Sequence, residues 1–181
     1  MRPESASLLL LPPVRLYCSD REMTPLSHAA LPIIIAAAVD CRHIARTGAP
    51  LVNRWHILAI GISGMLPDII DPHILLSDRL NSWTHTGWFM GLVTAISLGA
   101  ARRVPACHRP AFLLCCMAIC LHVVSDLLSG GVPLFPPFIG VVGDFYIPVR
   151  YWLNIDLVTI VAAYLICWRS RHLLRTVGRK T

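Results

Sequence analysis

Charge is scarce in this chain. Asp, Glu, Lys and Arg together make up 14% of its 181 residues, against about 25% in an ordinary soluble domain. So few charges, with 55% hydrophobic residues and a mean hydropathy of +0.62, exclude an ordinary soluble domain and point to a multi-spanning membrane protein of one domain. A cysteine framework is also missing. The seven cysteines, Cys18, Cys41, Cys107, Cys115, Cys116, Cys120 and Cys167, form no C-x-x-C pair. An odd number without framework spacing argues against a disulfide scaffold. Most lie in or at the ends of apolar runs, where cysteine behaves as a small hydrophobe. No internal repeat or low-complexity segment stands out. The N-terminal stretch has no clear small-residue cleavage site, so residues 1–22 read as a poorly ordered extension rather than a signal peptide, followed by a domain over 23–181.

The formal net charge is +6. The basic residues fall in separate clusters between apolar runs instead of one patch, which excludes a nucleic-acid partner and fits the positive-inside pattern. Apolar runs cover 27–39, extendable to 45, then 56–70, 88–101, 111–128 and 156–168. They predict an all-α, membrane-embedded bundle of about five transmembrane helices. Pro32 is expected in the first turn of the first helix, where proline is tolerated. Gly61 and Gly64 allow close helix packing in the second. With five helices, one side collects Arg42, Arg46, Arg54, Arg102, Arg103, Arg109 and the basic tail, which is 11 of the 16 Lys and Arg. That side is expected to be cytoplasmic, in an inner membrane, with the C-terminus inside. The other side receives 71–85, the Pro-rich loop 132–151 and every acid but Asp40.

Chemistry-bearing residues gather on that second side. Asp68 closes the second run, His85 opens the third, and His28 opens the first. His122 and Asp126 stand i, i+4 near the end of the fourth, which puts them on one helix face. Carboxylates and imidazoles beside hydrocarbon are costly unless paired or metal-bound. An H-x-x-x-D pair alone is a weak signal for a metal, because such pairs are also common as a His–Asp hydrogen bond. Two imidazoles and two carboxylates meeting at one depth suit zinc or another first-row divalent ion.

Blander readings apply to several neighbours. Asp68 and Asp71 flank prolines and could be turn residues, and His73 reads as a loop histidine. His43, His56, His108 and His172 map to the basic side as interfacial residues. Trp83, Trp88, Trp152 and Trp168 fit interfacial belts. Arg79 and Arg150 are the basic residues near the outer site. They could bind an anionic substrate or simply be solvated.

The ordered set His28, Leu66-Pro67-Asp68, Thr84-His85-Thr86, His122-Val-Val-Ser-Asp126 and Gly130-Gly131-Val132 with Pro133 and Pro136 resembles the YdjM-like family. These are bacterial and archaeal inner-membrane proteins regarded as metal-dependent hydrolases. The resemblance runs from about residue 23 to 168. The family is in turn similar to zinc-dependent phospholipase C and P1 nuclease, which share a His, Asp, His, H-x-x-x-D ligand order. That likeness implies His28, Asp68, His85, His122 and Asp126 as metal ligands, for one or two ions. The family's Pro-Asp-x-Asp is altered, with the second acid one residue later at Asp71. No second H-x-x-x-E is present.

A membrane-bound metal-dependent hydrolase is therefore expected. Its ion would lower the pKa of a bound water towards about 7. A second ion near His28 would hold a phosphoryl oxygen, and Asp71 would serve as general base or second-ion ligand. The interfacial position suggests a phosphoester of a lipid or lipid-linked substrate. The rival readings are a cation transporter, disfavoured by the apolar inner halves of the helices, and a non-catalytic protein with a structural metal.

Overall fold

The computed structural model describes residues 25–72, 76–143 and 151–177. The N-terminal extension, Cys18, His73, Arg150 and the last basic residues of the tail lie outside the described residues. Seven α-helices occur among the described residues: α1 (Pro25–Thr47), α2 (Arg54–Gly64), α3 (Leu66–Ile70), α4 (Leu76–Asn81), α5 (Gly87–Ala101), α6 (Arg109–Asp126) and α7 (Trp152–Val177). A 3-10 helix, Trp83–His85, precedes α5. Between α6 and α7 stands a hairpin of β1 (Val132–Phe135) and β2 (Ile139–Val142), antiparallel with Val132 opposite Val142 and Phe135 opposite Ile139. The sequence alone predicts a loop there, so the all-α expectation gains one small sheet.

Three helices, α1, α6 and α7, are long and apolar enough to cross a membrane; α5 is apolar but has only 15 residues. The second apolar run is not one helix. Pro67 has no N–H to give the Ser63 carbonyl, so the helix cannot continue through it. The chain closes α2 at Met65, whose N–H turns back to the Ile62 carbonyl at 3.0 Å, and restarts as α3. Asn53 caps α2, accepting from the Trp55 and His56 amides at 2.9 Å each, while His56 Nδ1 accepts from the Asn53 amide at 3.3 Å. Such reciprocal capping fixes where the helix begins.

Helix α1 packs on α7 and α2, and α6 packs on α2, α5 and α1. The shared core is built of small and medium side chains, with Ala36, Ile60 and Ala118 against Ile57, Leu114 and Cys115. Leu153, Leu157, Val158, Val161 and Leu165 on α7 are exposed, as lipid-facing positions should be in a chain of this hydropathy.

Pro32 lies in the interior of α1 rather than its first turn, because the helix starts at Pro25. Lacking an N–H, Pro32 leaves the His28 carbonyl without its helical donor. Gly64 of α2 packs on that carbonyl: a Cβ there would collide with the His28 oxygen and reach Pro32 Cγ at 3.0 Å. Gly61 likewise sits on Ile33. The two glycines thus bring α1 and α2 together at the level of His28.

Asp40, the one acid that the charge pattern leaves on the basic side, is buried as a clamp. Its Oδ1 accepts from the Leu51 and Val52 amides at 2.7 and 3.2 Å, and its Oδ2 from the Ser170 hydroxyl at 2.6 Å. It ties α1 to the α1–α2 turn and to α7. Trp83, Trp88 and Trp168 are exposed, but Trp152 is only 4% exposed. It packs inside the protein and does not belong to an interfacial belt.

Candidate metal centre

Four separate segments deliver the site. His28 comes from the start of α1, Asp68 from α3, His85 from the 3-10 helix, and His122 with Asp126 from the last turns of α6. His28, His85, His122 and Asp126 are buried among apolar helices. Two overlapping groups have ligand-type atoms close enough to hold a metal ion: Asp68, His85 and His122, and His28, His122 and Asp126.

One set of atoms is tighter than the rest. His85 Nε2 lies 3.0 Å from His122 Nε2. Asp68 Oδ1 is 3.2 Å from each imidazole Nε2, and Asp126 Oδ2 is 3.4 Å from each. Donors held about 2.0–2.1 Å from a tetrahedral ion stand about 3.3–3.4 Å from one another. Each carboxylate oxygen therefore stands at ligand-shell spacing from both imidazoles, with Asp68 and Asp126 falling in separate three-residue groups that share His122.

The hydrogen-bond network assigns the protons. His122 Nδ1 lies 2.7 Å from the Gly64 carbonyl oxygen, which can only accept, so Nδ1 carries the hydrogen. Around His85, the Ser82 hydroxyl donates to Asp71 Oδ2 at 2.7 Å and the Thr84 hydroxyl to the Pro67 carbonyl at 3.2 Å. Both hydroxyl oxygens lie near His85 Nδ1, at 3.0 and 3.1 Å. With their protons committed elsewhere, they accept, and Nδ1 again carries the hydrogen. With each Nδ1 hydrogen given outward, both Nε2 atoms face the two carboxylates, an arrangement that calls for positive charge, either a proton on Nε2 or a cation between the groups.

Asp68 is the accessible member. Its side chain is 23% exposed, whereas those of His85, His122 and Asp126 are at most 1% exposed. Burial pushes the Asp68 carboxyl up, but the hydrogen bonds from His122 and His85 outweigh it and hold the group well below the usual carboxylate range. Solvent reaches the cluster past Asp68.

Asp126 presents its other oxygen away from the cluster. His28 Nε2 lies 3.4 Å from Asp126 Oδ1, with the His28 ring stacked on His122 at 3.9 Å between centroids. Arg79 NH1 donates to the same Oδ1 at 3.0 Å. Arg79 also donates to Ser129 Oγ, to the Ser129 carbonyl and to the Gly131 carbonyl, at 3.1, 3.0 and 3.4 Å. It is 2% exposed. The reading of Arg79 as a solvated residue at the mouth is therefore corrected: its terminal nitrogens are committed to protein oxygens beneath the cluster. Nothing in the local sequence marks it, because its partners lie some fifty positions away.

Asp71 stands one residue back from the cluster. It is linked to His85 through Ser82, whose hydroxyl donates to Asp71 Oδ2 at 2.7 Å and lies 3.0 Å from His85 Nδ1. Ser82, Thr84 and the Gly64 carbonyl are supporting groups that a search for ligand-type residues passes over. The run Ser82-x-Thr84-His85 is the available signal.

Comparison with curated proteins and with solved structures finds no match, so the more distant likeness to phospholipase C and P1 nuclease rests on ligand order alone. Comparison with protein families does find one. Residues 23–178, spanning every member of the cluster, match the YdjM inner membrane protein family, and the chain belongs to that family.

Proposed function

We propose that this protein is a membrane-bound, metal-dependent hydrolase acting on a phosphoester of a lipid or lipid-linked substrate. The observation that carries the metal is the convergence of His85 Nε2 and His122 Nε2 on Asp68 Oδ1 and Asp126 Oδ2, at 3.0–3.4 Å for each imidazole–imidazole and imidazole–carboxylate pair. A shared proton would relieve one pair of these atoms; a divalent ion relieves all four. The donor set of two imidazoles and two carboxylates suits zinc or a similar first-row ion.

A bound ion there would supply a water acidic enough to attack near neutral pH. The chain's own residues do the rest. Gly64 and Ser82 hold the two imidazoles with their lone pairs inward, the buried helices exclude bulk water, and Asp68 marks the side from which a substrate enters. In the proposed arrangement α2 and α5 also lie in the bilayer, making five passes. The ends carrying Arg42, Arg46, Arg102, Arg103 and Arg109 face the cytoplasm and the cluster faces outside, at headgroup depth.

A structural metal is the second reading, and a specific observation favours it: the side chains of His85, His122 and Asp126 are at most 1% exposed, and structural sites are closed by protein donors. The two readings part at Asp68, the exposed donor. One experiment separates them: elemental analysis of the purified protein together with release of phosphate or headgroup from bilayer lipids. A hydrolase carries the metal, releases product, and loses release on chelation or in Asp126→Asn. Bound metal without release supports the structural reading. Protein purified without metal, and unable to take it up, rules out both.

A further inference from the structure

The cluster has one carboxylate, Asp126, with two faces. Its Oδ2 faces His85 and His122, and its Oδ1 meets His28 and Arg79. His28, His122 and Asp126 are close enough to suggest a second ion beside the first. Two features of the structure speak against that.

The first is the position already taken. The Arg79 guanidinium, buried and permanently charged, lies 3.0 Å from Asp126 Oδ1. A divalent ion on that oxygen would sit against a guanidinium in a low-dielectric interior, where like charges repel strongly. Arg79 cannot swing aside cheaply, because Ser129 and Gly131 hold its other donors.

The second is the state of the imidazoles. Metal-ligating histidines give their remaining N–H to a fixed acceptor, which orients the ring. His122 does so to Gly64, and His85 to Ser82 and Thr84. His28 Nδ1 is buried with no hydrogen-bond partner among the described residues. Two of the three histidines carry the outer support of a ligand, and His28 does not.

We infer that the site takes a single divalent ion, and that Arg79 supplies the second positive charge in the place where a second ion would bind. Arg79 is then a positioning residue: it neutralises Asp126 from behind, turns Oδ2 to the ion, and fastens α6 to the segment leading into β1. His28 is a stacking partner that braces His122. This inference rests on the metal reading above and fails separately from it.

The test is zinc stoichiometry of detergent-purified full-length protein after saturation with zinc and removal of the unbound excess. Wild type should hold one zinc per chain. Arg79→Gln should hold two, Arg79→Lys one, and the double variant Arg79→Gln/His28→Ala one again. A merely structural role for Arg79 would lower stoichiometry, not raise it. Two zinc ions in wild type, or one in folded Arg79→Gln, overturns the inference. Should Arg79→Gln fail to fold, His28→Ala alone decides: one zinc retained supports the inference, and an affinity loss of about tenfold or more, the size expected when a ligand or its support is removed, overturns it. No zinc at all in wild type would instead remove the metal reading on which the inference stands.

Discussion

His122 Nδ1 donates to the carbonyl oxygen of Gly64 over 2.7 Å, and this one bond joins the packing of the helices to the chemistry of the site. Gly64 is where α2 touches α1, and its carbonyl also decides which nitrogen of His122 faces the cluster. Gly64→Ala should therefore damage both. The added Cβ collides with the His28 carbonyl and approaches Pro32 Cγ to 3.0 Å, and overpacking of this kind costs about 1–3 kcal/mol. Thermal unfolding in detergent should show a lower midpoint, and metal affinity should fall with it. A variant unchanged in both measurements would dissociate Gly64 from the site.

Removing a ligand should remove the ion. His122→Ala and Asp126→Ala each remove a member of the converging set and should lose most bound metal. Cys115→Ala should keep it, since Cys115 packs against Ala36, Ile60 and Ala118. Full metal content in both ligand variants would leave only a His–Asp hydrogen bond.

The support behind His85 is separable from His85 itself. Ser82→Ala deletes an acceptor of the Nδ1 hydrogen and cuts the link to Asp71, and such changes weaken metal binding about 10–100-fold. Asp71→Asn should act in the same direction but less. Isothermal titration of the three proteins with zinc compares them. If Asp71→Asn abolished lipid hydrolysis with metal affinity intact, Asp71 would regain the role of general base.

Acid should release the ion. Binding requires both imidazoles neutral and both carboxylates ionised. The carboxyl of Asp68 is held well below the usual range, so it stays ionised between about pH 8 and pH 5, where histidines ordinarily change charge. Affinity should therefore weaken as pH falls, because an imidazole can hold an ion only when it is unprotonated. For folding the sign is the same: a depressed Asp68 stabilises the native state above the ordinary carboxylate range, and the stability is lost only at more acid pH. Zinc affinity that is constant from about pH 8 to pH 5 would exclude imidazole ligands.

Topology is dictated by the basic ends. A reporter fused after Arg103 should read cytoplasmic, and one inserted at 136–138, between the strands of the hairpin, should read outside. The reverse at both positions would turn the protein over and put the cluster on the cytoplasmic face.

The membership of the site is readable from sequence for a physical reason. Imidazoles and carboxylates beside apolar runs are costly unless paired or metal-bound, and His28, Asp68, His85, His122 and Asp126 stand at the ends of such runs on one side. The i, i+4 spacing of His122 and Asp126 settles their shared face. What escapes depends on distant partners. The burial of Arg79 is fixed by Asp126, Ser129 and Gly131. The break at Met65 is caused by Pro67, which is visible in the sequence, but a continuous apolar run conceals its effect. The interior position of Pro32 follows from α1 beginning at Pro25, ahead of the apolar run that marks it in the sequence. The hairpin after α6 is too short, and too rich in proline, to announce itself by alternation.

Asp40 and Ser170 bear on the order in which the molecule is made. The contact of α1 with α7 joins the first and last described helices, and the 2.6 Å bond between these two residues fastens it. No member of the ion cluster lies on α7. Every residue of the cluster precedes α7 in the chain, so all of them are synthesised before the helix that closes against α1. Asp40 meets the Leu51 and Val52 amides through one oxygen and Ser170 through the other, so one oxygen is served close by in sequence and the other by the last described helix.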